Sequence, residues 1–224
     1  MGPFRSLRAA RVMRAHRPLR PMSAAGQAGA VLITALFILI ALLIIGVSAA
    51  NTALDAERAA RAERDRHIAL QAAEAALADA ERDIEGGSDP GSARAALFAA
   101  GSAEGFVDGC GPATGINVGL CALAGPPLVP AWQSAALALP GGGASATEYG
   151  RFTGASMPAG EGSLPARLPR YIIELMPYAR AGEDASERTG NFYRITAIGF
   201  GADDQTRVVL QSFYLKAAQA GSVP

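Results

Sequence analysis

From Ala30 to Ala50 the chain reads AVLITALFILIALLIIGVSAA, 21 residues without a charge. At about 1.5 Å of rise per residue, a helix of this length spans roughly 32 Å, close to the thickness of a bilayer's hydrocarbon core. Polar positions begin directly after it. Asn51 to Glu85 contains neither Gly nor Pro and is dense in Ala, Arg and Glu, all good helix formers. The pattern therefore predicts one helix of about 55 residues that passes through two environments. Gly86-Gly87-Ser88-Asp89-Pro90 stops it.

The polar half of this helix divides again. Leu70, Leu77 and Ile84 recur every seven residues, with Ala73 and Ala80 three after the first two. This is a narrow apolar stripe, too short for a free coiled coil, and it predicts packing against the chain's own domain. Asp55, Glu57, Arg58, Arg61, Glu63, Arg64, Asp65 and Arg66 make the first part polar all round. That surface is either solvated or turned toward neighbouring subunits. Within the apolar run, Gly46 and Ala50 form a small-xxx-small pair that permits close helix approach, a spacing equally usual in any membrane helix.

Strand patterns come late. Tyr171 to Leu175 is a short apolar run, Phe192 to Phe200 reads FYRITAIGF, and Arg207 to Leu215 reads RVVLQSFYL. Gly201 to Thr206 is turn-like, so the last two runs form a hairpin with Tyr193, Ile195 and Ala197 opposed by Val208, Leu210 and Ser212. With 171–175 and a fourth candidate at 147–153, this predicts a three- or four-stranded antiparallel sheet. One long helix packed on one small antiparallel sheet is an α+β architecture.

Charge sharpens the reading. Residues 1–29 carry six arginines and no acid, and the first acidic side chain is Asp55. A basic flank before an apolar run predicts a cytoplasmic N-terminus and a domain on the far side of the membrane. Three fates of the leader stay open: secretory cleavage after Ala50, retention as an uncleaved anchor, or cleavage by a prepilin peptidase between Gly29 and Ala30, with Gly26 as an alternative cut. Loss of the leader leaves 14 basic against 20 acidic side chains, a net of −6. An acidic chain is poorly suited to bind nucleic acid directly.

The residues that carry chemistry are scarce. Lys216 is the only lysine, and beyond the leader His67 is the only histidine. No Ser–His–acid set is available, so no enzyme, cofactor or metal site is predicted. Asp203-Asp204 reads as a solvated turn, and Glu183, Asp184 and Glu187 as a solvated acidic loop. Gly141-Gly142-Gly143 lacks the Gly-Lys-[Ser/Thr] of a phosphate cradle. Trp132 reads as a core or loop anchor. Cys110 and Cys121, an even pair in an exported segment, predict a disulfide that closes a Gly-rich loop.

The block Asp65-Arg66-His67-Ile68-Ala69-Leu70-Gln71-Ala72-Ala73-Glu74-Ala75-Ala76-Leu77 resembles the R-D-R-x-x-A-[FL]-Q-A-A-E-A-A-L signature of the type IV pilus assembly protein PilX family. The likeness runs from about Gly29 to Glu81, with Gln71, Ala72 and Glu74 in its centre. PRYIIEL and FYRITAIGFGADDQTRVVLQS resemble that family's C-terminal half. The resemblance implies a pilin-like fold and a minor pilin. Residues 1–29 would be a prepilin leader, 30–50 the membrane-spanning half of the long helix, 51–85 its periplasmic half, and 86–224 the globular domain. Prepilin peptidase would cut after Gly29 and methylate the Ala30 amine.

The implied partners are other minor pilins, the major pilin and the inner-membrane assembly machinery, with a large tip adhesin as a further partner. The implied location is the bacterial inner membrane and then the fibre. One departure stands out: most pilins carry a glutamate at the fifth mature position, and here it is Thr34 (Val31 if the cut falls at Gly26). This points to an initiating or tip position. A minor pseudopilin of type II secretion is the near alternative, and a signal-anchored periplasmic binding protein the alternative of another class.

Overall fold

The computed structural model describes residues 28–99, 102–112, 114–123, 125, 129–133, 137, 145–177 and 190–217. Residues 1–27 with Gly26, the glycines at 141–143, and Glu183, Asp184 and Glu187 lie outside the described residues. The chain divides into two compact units, Met1–Asp55 and Ala56–Pro224. Helix α1, Ala28–Ile84, is a single element of 57 residues that runs through both.

In the first unit, every large apolar side chain from Val31 to Val47 is 45–74% exposed, and none of the other described residues covers this stretch. A run this apolar and this bare fits a single-pass membrane anchor. Gly46 is tolerated within the helix and has open space around it.

In the second unit, α1 ends where the glycines begin. Gly86 and Gly87 take φ of 114° and 62°, and Gly87 N–H returns to Arg82 O at 2.8 Å. Left-handed glycines of this kind satisfy the helix's last carbonyls. The Lys216 ammonium donates to Ile84 O and so places a positive charge at the negative helix end. A short helix, α2 (Ala93–Ala96), follows, capped by Ser92 Oγ, which accepts from Ala95 N–H at 3.1 Å.

Five strands form one sheet: β1 (Leu120–Ala122), β2 (Thr147–Glu148), β3 (Arg170–Met176), β4 (Gly190–Phe200) and β5 (Arg207–Ala217). The order is β1-β3-β4-β5, with β2 also on β3. The β4–β5 hairpin pairs Ile195 with Ser212 and Ala197 with Leu210, but Tyr193 faces Tyr214 and Val208 faces Gly199, so the opposing set lies two residues further along β5 than expected. The fold is thus α+β, a long N-terminal helix packed on a small sheet. The sheet is mixed rather than wholly antiparallel, because β1 lies parallel to β3, with Leu120 opposite Ile173. The fourth antiparallel segment is two residues long rather than 147–153, because a turn at Tyr149–Thr153 ends it.

Alternation along β3 and β4 feeds two cores. Tyr171, Ile173, Tyr193, Ile195 and Ala197 point to the helix side with Ala76, Ala80, Ile84 and Phe98. Ile172, Ile198 and Phe200 point to the other face, where Cys110, Cys121, Leu137 and Ala146 cover them and half-buried Trp132 packs at the margin. Phe98, Phe106 and Tyr193 meet with ring centroids 5.8–6.1 Å apart.

Candidate functional site

Two surfaces of α1 define what this chain can do: the bare apolar half and the face that carries the domain. On the first, Gly29 and Ala30 are exposed residues within the helix. Thr34 Oγ1 donates to Val31 O at 3.0 Å, which satisfies its hydroxyl within the helix. Thr52 does the same to Ser48 O at 3.0 Å. The segment therefore offers an apolar exterior with its few polar groups turned inward.

The domain-bearing face is built from alanine. Ala69, Ala72, Ala73, Ala76, Ala80 and Ile84 are at most 1% exposed. Leu70 and Leu77 are only partly buried and flank this face. At about 100° per residue they project well away from the alanine axis. Gln71 and Glu74 are exposed on the opposite side. Small side chains let the sheet approach the helix backbone itself. A Cβ at Gly199 of β4 would stand 2.1 Å from Ala69 O and 2.4 Å from Ala73 N.

Three aspartates on this same face tie loops to the helix, and sequence reasoning missed their role. Spacings of 14 and 4 residues put Asp65, Asp79 and Asp83 within about 40° of one another on a helix, which is the signal that could have found them. Asp65 Oδ1 accepts the N–H groups of Ala202 and Asp203, in the turn between β4 and β5. Asp79 accepts Gly150 N–H at 2.7 Å and the Thr153 hydroxyl. Asp83, fully buried, pairs with Arg94, whose Nη2 lies 2.6 Å from Oδ2, and accepts the Tyr171 hydroxyl at 3.0 Å.

Arg94 is the hub of that last contact. Its Nη1 also donates to Ile116 O at 2.7 Å and Val118 O at 3.1 Å, and its guanidinium lies 4.1 Å from the Phe152 ring centroid. Both carbonyls belong to the loop closed by the Cys110–Cys121 disulfide, whose sulfurs are bonded. The loop is further tied to the sheet by Thr147 Oγ1, which donates to Val118 O at 2.9 Å.

The electrostatics follow from burial. Burial, then the Asp83 and Asp79 charges, push the Tyr171 hydroxyl well above its usual value. Burial raises Tyr193 to about 12. The hydrogen bond to Glu85 carries Tyr214 to about 12. These hydroxyls stay protonated: Tyr171 and Tyr214 donate to Asp83 and Glu85, and Tyr193 accepts from Asn191 Nδ2 at 2.9 Å. Across the sheet, Arg194 forms a two-pronged pair with buried Glu174, both contacts 2.8 Å. That hydrogen bonding raises the Arg194 guanidinium above its usual value. His67 lies on the exposed side, 3.3 Å from Glu63. Among the described residues no group of three or more His, Cys, Asp or Glu side chains gathers to hold a metal.

Two family models match the chain. One, described as type IV pilus assembly protein PilX C-term, matches residues 108–216; the other, PilX N-terminal, matches residues 28–78. Together they cover more than two thirds of the sequence. The first contains both cysteines and all five strands except Ala217, the last residue of β5, the second Thr34, Asp65, Gln71, Ala72 and Glu74. Asp83 and Arg94 fall between the two. No curated protein and no solved structure matches the chain.

Proposed function

The chain belongs to the type IV pilus assembly protein PilX family, and on that premise we propose that this minor pilin works in the initiating or tip complex of the fibre. Its family is a structural component of the pilus. The bare apolar half of α1 would wait in the inner membrane with the basic leader in the cytoplasm and the domain in the periplasm. Prepilin peptidase would then cut between Gly29 and Ala30, methylate Ala30, and release the helix for packing among the helices of other pilins. The matched C-terminal model supports a pilus rather than a secretion pseudopilus.

Thr34 carries the reading of position. A carboxylate in an apolar helix core costs about 2.5–3.5 kcal/mol on an insertion scale unless it is paired. In most pilins the resemblance implies that the fifth-position acid meets a neighbour's terminal amine. A subunit with no neighbour ahead of it has no such amine to meet. Thr34 instead closes its hydroxyl on Val31 O and leaves no polar group in search of a partner. From Ala30 to Leu54 no side chain is charged.

The domain would present its outer sheet face, where Val209, Phe213 and Leu215 of β5 are exposed, to other minor pilins. The test is Thr34→Glu in cells that assemble fibres, with labelled chain imaged along each fibre. A subunit suited to the tip loses fibre initiation, or moves from tip to shaft, once it carries the acid. Unchanged fibre number and unchanged tip labelling would count against the proposal.

A further inference from the structure

Residues 51–64 of α1 are exposed, and Asp65 is the first residue along the polar half that is partly buried. Its carboxylate grips the β4–β5 turn through the N–H groups of Ala202 and Asp203, the latter at 3.1 Å, and the Thr206 side chain. Gly201 seats the carboxylate, since a Cβ there would stand 2.5 Å from Oδ1.

The hairpin lies along the helix. Its turn is at Asp65, Gly199 rests on Ala69 and Ala73, and its open end meets the helix terminus. There the Tyr214 hydroxyl donates to Glu85 at 2.6 Å, and Lys216 donates to Ile84 O. Motion of α1 toward its own N-terminus therefore slides it along both strands and draws the Asp65 carboxylate out of the turn.

We propose that Asp65 is a mechanical latch, which holds the β4–β5 turn on α1 and raises the force needed to draw that helix out of the domain. Among the described residues α1 runs unbroken from residues 28–55 into the domain, so tension applied from that side enters the fold past this contact. The latch rests on hairpin geometry; that tension arises in a fibre rests on the assembly reading above. Small residues beneath β4 keep the helix close but add little grip. Charge-assisted bonds, about twice as strong as neutral ones, supply it, and Asp65 holds the leading end ahead of Asp79 and the Asp83–Arg94 pair.

The test pulls the detergent-solubilised full chain between handles at its two termini, so that helix and hairpin load in opposite directions. Asp65→Ala should unfold about tenfold or more faster at equal force, with Asp65→Asn between it and the wild type. Hydrogen exchange on the same chains should show the Ala202 and Asp203 amides losing protection in Asp65→Ala while Ile195 keeps it. Should Asp65→Ala fail to fold, Thr206→Val, which removes one donor to the same carboxylate, must still lower the rupture force. Rupture forces equal to wild type in the folded variants overturn the latch, even where the two amides lose protection, since that marks only a local cap. The measurement uses single chains, so its failure is separable from any failure of fibre assembly.

Discussion

Arg94 is buried to within 4% of its surface and pairs with an Asp83 that has none exposed. Each charge has its partner and further hydrogen bonds, the condition under which a buried ion pair is tolerated. Arg94→Met removes one charge and strands the other, and should cost about 3–5 kcal/mol in a urea melt. Asp83→Leu combined with Arg94→Met should recover more than half of that loss, because two apolar side chains of similar volume suit a dry site. A double variant no more stable than the single one would show that the pair is net stabilising. This constellation was illegible in the sequence, where Arg94 stands in an undistinguished SARAA run and nothing ties it to position 83.

Asp65 gives a pH signature at the same scale. Burial pushes its carboxyl up, but hydrogen bonds from Thr206, Asp203 and Ala202, with the Arg64 charge, draw it below its ordinary value of 3.8. A carboxyl lowered by folding lends its full stabilisation above the unfolded value and loses it as pH falls through the folded one. The stability difference between the wild type and Asp65→Asn should thus stay level from about pH 7 to 5 and close below about 3.8. A gap that widens on acidification would contradict this assignment.

Among the elements, α1 was the most legible, since length, apolar run and the absence of Gly and Pro after Asn51 all agree, and it forms as one helix. The hairpin was readable for the same reason: eleven-residue strands with alternation and a polar turn. Strand β1 was not, because Leu120–Ala122 is three residues whose pairing comes from the disulfide loop and β3 rather than from local pattern. Of the predicted stripe Ala73, Ala80 and Ile84 are buried and Leu77 packs at the core's edge, while the centre of the contact face is alanine because the backbones of helix and β4 nearly touch. Gly199→Ala tests that closeness. Its Cβ would meet helix backbone at 2.1 Å, which cannot rotate away. We expect a loss of about 1–3 kcal/mol or more, read from the denaturation midpoint. A neutral substitution would show that the helix can shift outward freely.

At the scale of the molecule, the sequence divides its labour by composition. An uncharged run left bare by the other described residues fits a single-pass membrane anchor, and a disulfide-bearing α+β domain follows it. How far this whole was legible depended on the block Asp65 to Leu77, whose residues show their purpose only when the domain is in place: Asp65 on the hairpin, the alanines under β4, Gln71 and Glu74 left outward. On the proposed reading the fate of residues 1–29 joins these parts into one function, since a helix that kept this basic segment could not leave the bilayer for a fibre core. The most direct measurement is the mass of the N-terminal peptide of the mature chain recovered from fibres. A chain that begins at N-methylated Ala30 is the predicted result; an intact Met1, or a new terminus at Asn51, would contradict it.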